Sequence, residues 1–427
     1  MNIYQIQGGN RLQGTVDVAG SKNTALAIMS AVALADGVTV LHNVPNVSDT
    51  RIKAGLLERF GAKVDWEGNS LTVDCSNLHN GETDEETVRA IRTSFYMLGP
   101  LLARIGHVEM PAPGGCKIGA RPVDFHLKGL ALLGADVALE GGTYRATAKE
   151  LRGAEIYLDF PSAGATQHLM ATATLARGAT TIQNAAMEPE VVALAHFLQC
   201  LGARIEGAGT ATITVLGVER LEGCEFRIPS DRMQAATYLL GGAMTMGDVT
   251  VRNILPGDQT AVVNKLREAG ATVEEGADWV RASAIKRLKA IKVKTMPHPG
   301  FPTDMQQPMA AVLTLAQGTS IVEETIYESR MGHVSELNRM GANIRMEGRS
   351  AVITGVRGLR GAHVEASDLR AGAALVLAGL AAEGETTIRN IHFIDRGYEN
   401  FEENLRLLGG RIERVAVHDT DLRYFEG

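Results

Sequence analysis

Twelve consecutive residues, Pro113-Gly114-Gly115-Cys116-Lys117-Ile118-Gly119-Ala120-Arg121-Pro122-Val123-Asp124, gather three glycines, a thiol, two cations and a carboxylate. Glycine lets a backbone turn sharply and approach a ligand closely. A cysteine flanked by Lys117 and Arg121 is expected to have a stabilised thiolate and so to be reactive. The plain alternative is a glycine turn around a buried structural cysteine.

A second group of residues repeats a position rather than a motif. Lys22 follows Ser21, Arg92 opens Thr93-Ser94-Phe95, Arg232 follows Asp231, and Arg370 follows Asp368-Leu369. Each lies at the start of an apolar helical segment. A cation there opposes the helix dipole, at a cost of roughly 0.3–1 kcal/mol. Several in equivalent positions point to a bound anion that cation and dipole both favour. Arg121, Arg330 and Arg396 form another set, in strand-to-helix loops; their plain alternative is pairing with Asp124, Glu328 and Asp395. Asp304, in Pro299-Gly300-Phe301-Pro302-Thr303-Asp304, puts a carboxylate at a helix start, where an N-cap is the plain alternative. Glu188-Pro189-Glu190 reads as a turn and helix start that serves loop positioning.

The elements that must carry these residues recur. A Leu-x-x-apolar-Gly-Ala pattern ends at Gly61-Ala62, Gly134-Ala135, Gly202-Ala203, Gly270-Ala271, Gly341-Ala342 and, as a variant, Gly409-Gly410, at a spacing of about 70 residues. Upstream of each, a glycine opens a β-branched strand, as in Gly37-Val38-Thr39-Val40 and Gly384-Glu385-Thr386-Thr387-Ile388. Before those strands lie segments rich in Ala, Leu and Met, from about Ser21, Arg92, Gly164, Asp231, Asp304 and Asp368. Apolar on nearly all faces, they predict buried helices. An alternating hairpin follows each Gly-Ala, as over residues 63–73. The unit is strand, buried helix, strand, loop, amphipathic helix, hairpin. No polar capping repeat suggests an open solenoid, so three units are expected to close around their own helices, twice. The strand Gly14-Thr15-Val16-Asp17-Val18 is expected to pair with the end of the C-terminal half, which puts domain boundaries near residues 19 and 229.

Composition narrows the functional classes. The 427 residues carry a net charge of −7 and 45% hydrophobic residues, which disfavours a nucleic-acid partner. No apolar stretch has the length of a membrane span, and Met1-Asn2-Ile3-Tyr4-Gln5-Ile6 lacks the features of a signal peptide. Cys75, Cys116, Cys200 and Cys224 show neither metal nor disulfide spacing, so a reduced cytoplasm is expected.

Taken together, Gly20-Ser21-Lys22-Asn23, Arg92-Thr93-Ser94, Pro113 through His126, Ser162-Ala163-Gly164-Ala165-Thr166, Glu188-Pro189-Glu190, Pro229-Ser230-Asp231-Arg232, Phe301-Pro302-Thr303-Asp304, Glu328-Ser329-Arg330, Asp368-Leu369-Arg370 and Ile394-Asp395-Arg396-Gly397-Tyr398 are collinear with a known pattern. The chain resembles the enolpyruvyl transferases, and among them the UDP-N-acetylglucosamine 1-carboxyvinyltransferase family. The resemblance implies an α/β fold, a two-domain inside-out α/β barrel of six βαβαββ repeats. Residues 20–229 would form one domain, carrying the Cys116 loop. Residues 1–19 plus 230–427 would form the other, carrying Asp304, Arg330, Arg370 and Arg396. It implies transfer of the enolpyruvyl group of phosphoenolpyruvate to the 3′-hydroxyl of UDP-N-acetylglucosamine, with release of phosphate and no metal or organic cofactor.

Residue by residue, the resemblance gives Lys22, Arg121 and Arg396 to the phosphate of phosphoenolpyruvate, with Asn23 beside it, and Arg330 and Arg370 to its carboxylate. Asn23, Arg92, Arg121, Pro122, Val123, Asp124, Ser162, Ala163, Gly164, Asp304 and the backbone near Ile326 would line the nucleotide-sugar site. Asp304 would accept the 3′-hydroxyl proton. Cys116 would protonate the enol methylene carbon and would be the target of the epoxide inhibitor fosfomycin. Ala163 and Phe160-Pro161 stand where the family varies, and Lys117 adds a charge beside the thiol. The competing readings are the sister enzyme acting on shikimate 3-phosphate, which lacks the Gly-Gly-Cys loop, a silent nucleotide-sugar-binding paralogue, and a purely structural repeat protein.

Overall fold

The computed structural model describes residues 1–81, 85–113 and 123–417. The chain forms two compact units. One contains Met1–Val18 and the described residues from Ser230 on; the other contains the described residues between Ala19 and Pro229.

One backbone device ends the amphipathic helix of every repeat. Gly61, Gly134, Gly202, Gly270, Gly341 and Gly409 have φ between 88° and 106°, a conformation an L side chain resists. After each, the next N–H reaches back to a leucine carbonyl: Ala62 to Leu57 (3.1 Å), Ala135 to Leu130 (3.0 Å), Ala203 to Leu198 (2.9 Å), Ala271 to Leu266 (3.0 Å), Ala342 to Leu337 (3.1 Å) and Gly410 to Leu405 (2.8 Å). Each glycine N–H takes the carbonyl three residues back, as Gly61 does Glu58 at 3.0 Å. This is the Schellman closure, which satisfies carbonyls the helix end would orphan. The six leucines are buried, so the same residue anchors the helix to the core and starts the turn into the hairpin.

Among the described residues, every repeat but the second places a short strand parallel beside another, which then pairs antiparallel with its next neighbour. In the fifth repeat the order is Lys292–Lys294, Thr319–Glu323, Ser350–Thr354, Asn343–Glu347. The second repeat has three described strands, His107–Pro111, Thr143–Thr147 and Asp136–Glu140. The N-terminal strand corrects the expected topology. Gln13–Asp17 pairs parallel with Asp248–Arg252 at the start of the C-terminal half, not with its end. The end is joined by Asn2–Gln7, which lies antiparallel between Glu385–Arg389 and Arg411–Ala416. The sixth repeat contributes a single described hairpin strand, so the N-terminus fills the missing place. In the first repeat the lead strand is Glu225–Arg227, parallel to Val38–His42.

The buried helices are Lys22–Ala31, Leu98–Ile105 and Ala163–Ala173 in one unit, and Arg232–Met244, Gln306–Leu313 and Leu369–Ala381 in the other. Two of them are preceded by tighter 3-10 segments, Arg92–Met97 and Thr303–Met305. Pro100 and Pro308 give the reason. A proline ring clashes with the carbonyl four residues back, so the regular helix begins no earlier than its own first turn. This offset carries Arg92 and Asp304 on the tighter turn. The strand-opening glycines have positive φ in five repeats; in the fourth, Met246 takes that conformation (φ 53°). Gly247 there packs against the Leu12 carbonyl, leaving no room for a Cβ.

The amphipathic helix of the first repeat, Ser48–Arg59, buries a lysine completely. Lys53 Nζ donates to the Thr93 carbonyl at 2.6 Å, and burial holds the amine well below its ordinary range. A group whose folded pKa is depressed binds fewer protons folded than unfolded, so its contribution to stability rises with pH up to the unfolded lysine range near 10.4. Lys53→Met is therefore expected to flatten the alkaline rise in stability. It should also raise the melting temperature at pH 7, by about 2–4 °C for each kcal/mol recovered in a unit of this size. Melting curves of both proteins across pH 6–10 check this; parallel curves would refute it.

Candidate active site

Asp304 is not the N-cap of its helix. It sits on the Thr303–Met305 turn, after Pro302, and its carboxylate bridges two guanidiniums. Oδ1 is 2.8 Å from Arg330 Nη1. Oδ2 accepts from Arg370 Nε at 3.2 Å and Nη2 at 3.1 Å. Arg330 and Arg370 are only 4% and 1% exposed, so these are charges held away from water. Burial pulls the Arg370 guanidinium down, but the Tyr398 hydroxyl, Asp304 and Asp231 outweigh it and hold the group above its ordinary value. Tyr398 also lies under the Arg370 guanidinium, 5.2 Å from its ring centre. His333, buried nearby, is pushed down to about 4, first by burial, and stays neutral at pH 7.

Arg330 Nε and Arg370 Nη1 are buried and have no hydrogen-bond partner among the described residues. A buried guanidinium N–H left unpaired is costly, and two of them beside one carboxylate make a place for an anion. Arginine forks suit a carboxylate in particular.

Glu324, Thr303 and Asp368 position this centre, and sequence reasoning gave none of them a site role. Glu324 is buried and accepts from Thr295 and Thr303 hydroxyls and from the Ile326 and Tyr327 N–H groups. Thr303 in turn accepts from Arg330 Nη1 at 3.0 Å. Asp368 caps its helix through the Arg370 N–H at 2.9 Å and the Ala371 N–H at 3.1 Å. A signal for Glu324 was present. In the strand Thr319–Glu323, Ser320 and Val322 face inward, and a period of two puts Glu324 on that buried face.

In the other unit, Lys22 Nζ lies 3.5 Å from Asp49 Oδ2 at the first turn of Lys22–Ala31. Ser21 caps that helix, accepting from the Thr24 N–H at 3.3 Å; Ser162 caps Ala163–Ala173 through the Ala165 N–H at 3.3 Å. Asn23, Arg92, Val123, Ser162, Ala163 and Gly164 are half-buried, and Asp124 is exposed at the start of Asp124–Leu132. Gly164 lies against the Tyr96 hydroxyl, leaving no room for a side chain. Cys116, Arg121 and Pro122 lie outside the described residues. Arg396 ends the turn Ile391–Arg396 of the first-named unit. Its neighbour Asp395 is held by Arg414, at 2.6 Å.

The helix starts differ in what caps them. At Arg232 and Arg370 the first free backbone N–H groups already donate to Asp231 and Asp368. A serine caps the starts at Lys22 and Ala163, so the positive end of the dipole is left without a carboxylate from the cap.

Beneath Arg92, two buried imidazoles share one hydrogen bond. The Gly99 N–H donates to His168 Nε2 at 2.8 Å, and His168 Nδ1 lies 2.9 Å from His126 Nδ1. His168 must then carry its proton on Nδ1, and His126 on Nε2. Burial, with a smaller push from Arg92, lowers His126 to about 3; burial also holds His168 well below the usual range.

Residues 6–405 match the family described as EPSP synthase (3-phosphoshikimate 1-carboxyvinyltransferase), and the chain belongs to that family of enolpyruvyl transferases. A relative in Symbiobacterium thermophilum named UDP-N-acetylglucosamine 1-carboxyvinyltransferase 3 is 50% identical over 97% of this chain and 98% of its own. One of that enzyme name in Halothermothrix orenii is 48% identical over 97% of this chain and all of its own. Among solved structures, the enolpyruvyl transferase NikO from Streptomyces tendae superposes with a TM-score of 0.88 at 27% identity, over 98% of this chain and 99% of its own. EPSP synthase from Acinetobacter baumannii shares the fold, with a TM-score of 0.76 at 20% identity over 97% and 100% of the two chains. Among the described residues no helix is long and apolar enough to cross a membrane.

The imidazole pair makes a prediction about acid. Unfolded histidine binds a proton below about pH 6.5, whereas folded His126 does so only near pH 3. The pair's contribution to stability is therefore present above pH 6.5 and lost as pH falls towards 3. The ring resonances of His126 and His168 are expected not to titrate between pH 8 and 5 by NMR. A titration of either ring near pH 6.5 would contradict the geometry.

Proposed function

We propose that this chain transfers the enolpyruvyl group of phosphoenolpyruvate to the 3′-hydroxyl of UDP-N-acetylglucosamine and releases phosphate, the first committed step of peptidoglycan synthesis. The near-full-length relatives bearing that enzyme's name support the choice of acceptor. Within the molecule, the supporting observation is one carboxylate, Asp304, bridging two buried guanidiniums that each keep an unpartnered N–H.

In this reading Arg330 Nε and Arg370 Nη1 receive the carboxylate of phosphoenolpyruvate, and Lys22, Arg121 and Arg396 receive its phosphate. Asn23, Arg92, Pro122, Val123, Asp124, Ser162, Ala163, Gly164 and the backbone at Ile326 hold the nucleotide sugar. Asp304 takes the proton of the 3′-hydroxyl as that oxygen bonds to C2 of phosphoenolpyruvate. Cys116 gives its proton to C3, and a tetrahedral ketal results. The Cys116 thiolate then takes a proton back from C3, which restores the double bond as the C2–O bond to phosphate breaks and phosphate leaves. An incoming substrate carboxylate shares the Arg330 and Arg370 guanidiniums with Asp304. We place the reaction in the cytoplasm, where the Cys116 thiol stays reduced.

Asp304→Asn keeps shape and removes the base. It should lower kcat by about 10²–10⁴ while phosphoenolpyruvate still binds, measured by phosphate release and calorimetry. Wild-type turnover in the variant would remove Asp304 from the mechanism.

Fosfomycin carries a phosphonate in place of the phosphate and should alkylate Cys116. Burial pushes Cys75 up to about 12, and burial with the nearby Cys200 thiol raises Cys224, so neither competes as a thiolate. Cys116→Asp retains a proton donor but is a far poorer nucleophile, and should turn over yet resist the inhibitor. Peptide mass spectrometry decides the target, and adduct on Cys75, Cys200 or Cys224 instead would overturn the assignment.

A further inference from the structure

We infer that Glu324 is a positioning residue for this reaction: acting through Thr303, it fixes the Arg330 guanidinium and, with it, the carboxylate of Asp304. The inference rests on the roles proposed above for Arg330 and Asp304. Glu324 is 1% exposed. Its Oε2 accepts from Thr303 Oγ1 at 2.8 Å. Its Oε1 accepts from Thr295 Oγ1 at 2.9 Å and from the N–H groups of Ile326 at 2.8 Å and Tyr327 at 3.1 Å. Both oxygens are thus engaged by the protein, which places Glu324 to act through these partners.

The direction of the relay is forced. A guanidinium only donates and an ionised carboxylate only accepts. Thr303 Oγ1 lies between them, 3.0 Å from Arg330 Nη1. Its hydroxyl must therefore accept from Arg330 and donate to Glu324. The same Nη1 is 2.8 Å from Asp304 Oδ1. One nitrogen is thus held from two sides by adjacent residues of one turn. Glu324 joins that turn to the loop leaving Thr319–Glu323, on which Ile326 and Arg330 follow. A guanidinium so pinned keeps Nε aimed at a fixed point, and charge-assisted bonds of this kind are the strong ones.

Three single variants of the full chain, and the double variant Glu324→Gln with Thr303→Val, test this. Glu324→Gln keeps the size and one acceptor, but puts an NH2 where Thr303 needs an acceptor. Thr303→Val removes the relay, and Thr303→Ser restores it. Glu324→Gln and Thr303→Val are each expected to raise KM for phosphoenolpyruvate and lower kcat, together by about tenfold or more in kcat/KM. KM for the nucleotide sugar should stay within about twofold, and Thr303→Ser should match wild type. Groups acting in series are non-additive, so the double variant should be no worse than the more impaired single one. Equal rises in both KM values, multiplying losses in the double variant, or an unimpaired Thr303→Val would each overturn the inference. The Arg330 Nε–H resonance gives a reading independent of turnover. It should broaden in Glu324→Gln and Thr303→Val but not in Thr303→Ser; an unchanged signal in all three overturns the relay. If wild type fails to turn over the two substrates, the proposed function falls, and the resonance still decides the role of Glu324.

Discussion

Two guanidiniums, Arg330 and Arg370, are buried against the one carboxylate of Asp304. Removing charges from water costs several kcal/mol per ion, and a good ion pair returns that cost only with close geometry and further hydrogen bonds. Breaking such a pair from one side costs about 3–5 kcal/mol, because a charge is left buried and alone. Much of the surrounding structure follows from this constraint. Thr303 and Glu324 give Arg330 a second line of neutralisation. Asp368 fixes the backbone of Arg370, and Tyr398 lies beneath its side chain. The same constraint makes the centre reactive towards anions, since the donors left over have no other partner among the described residues.

Such a centre needs rigid supports, and the repeats provide them cheaply. Every amphipathic helix ends in the same closure, with a glycine in the left-handed region and a buried leucine five residues before the return bond. The turn into the hairpin is thereby the same in each copy. Chemistry enters where copies differ. Prolines at positions 100 and 308 convert two helix starts into tighter turns, and those turns carry Arg92 and Asp304. Serine caps two helix starts while aspartate caps two others, so some dipoles are neutralised within the chain.

The α/β class and the sixfold repeat were legible in the sequence because both are local: glycine spacing, alternating strands, and helices apolar on all faces. Long-range pairing was not. Nothing in Gly14-Thr15-Val16-Asp17-Val18 says whether it pairs with the beginning or the end of a half. The outcome depends on the sixth hairpin having a vacancy that Asn2–Gln7 fills. Asp304 reads locally as a helix cap; its ion pairs with residues 26 and 66 positions later emerge only when its own loop folds back and the next repeat packs against it. Glu324 was hidden by its neighbour Glu323, which makes the pair look like a solvated strand end. The thiol loop with Cys116, Arg121 and Pro122 was the plainest chemical signal in the sequence, and it lies outside the described residues.

The family description names an enzyme of shikimate 3-phosphate, whereas the relatives at about half identity are named for UDP-N-acetylglucosamine. Acceptor identity is therefore the point on which the account stands. The most direct measurement is the initial rate of phosphate release from phosphoenolpyruvate, with each acceptor supplied separately to the same enzyme preparation. Rapid release with UDP-N-acetylglucosamine and background release with shikimate 3-phosphate is the predicted result. Comparable or faster release with shikimate 3-phosphate would contradict it.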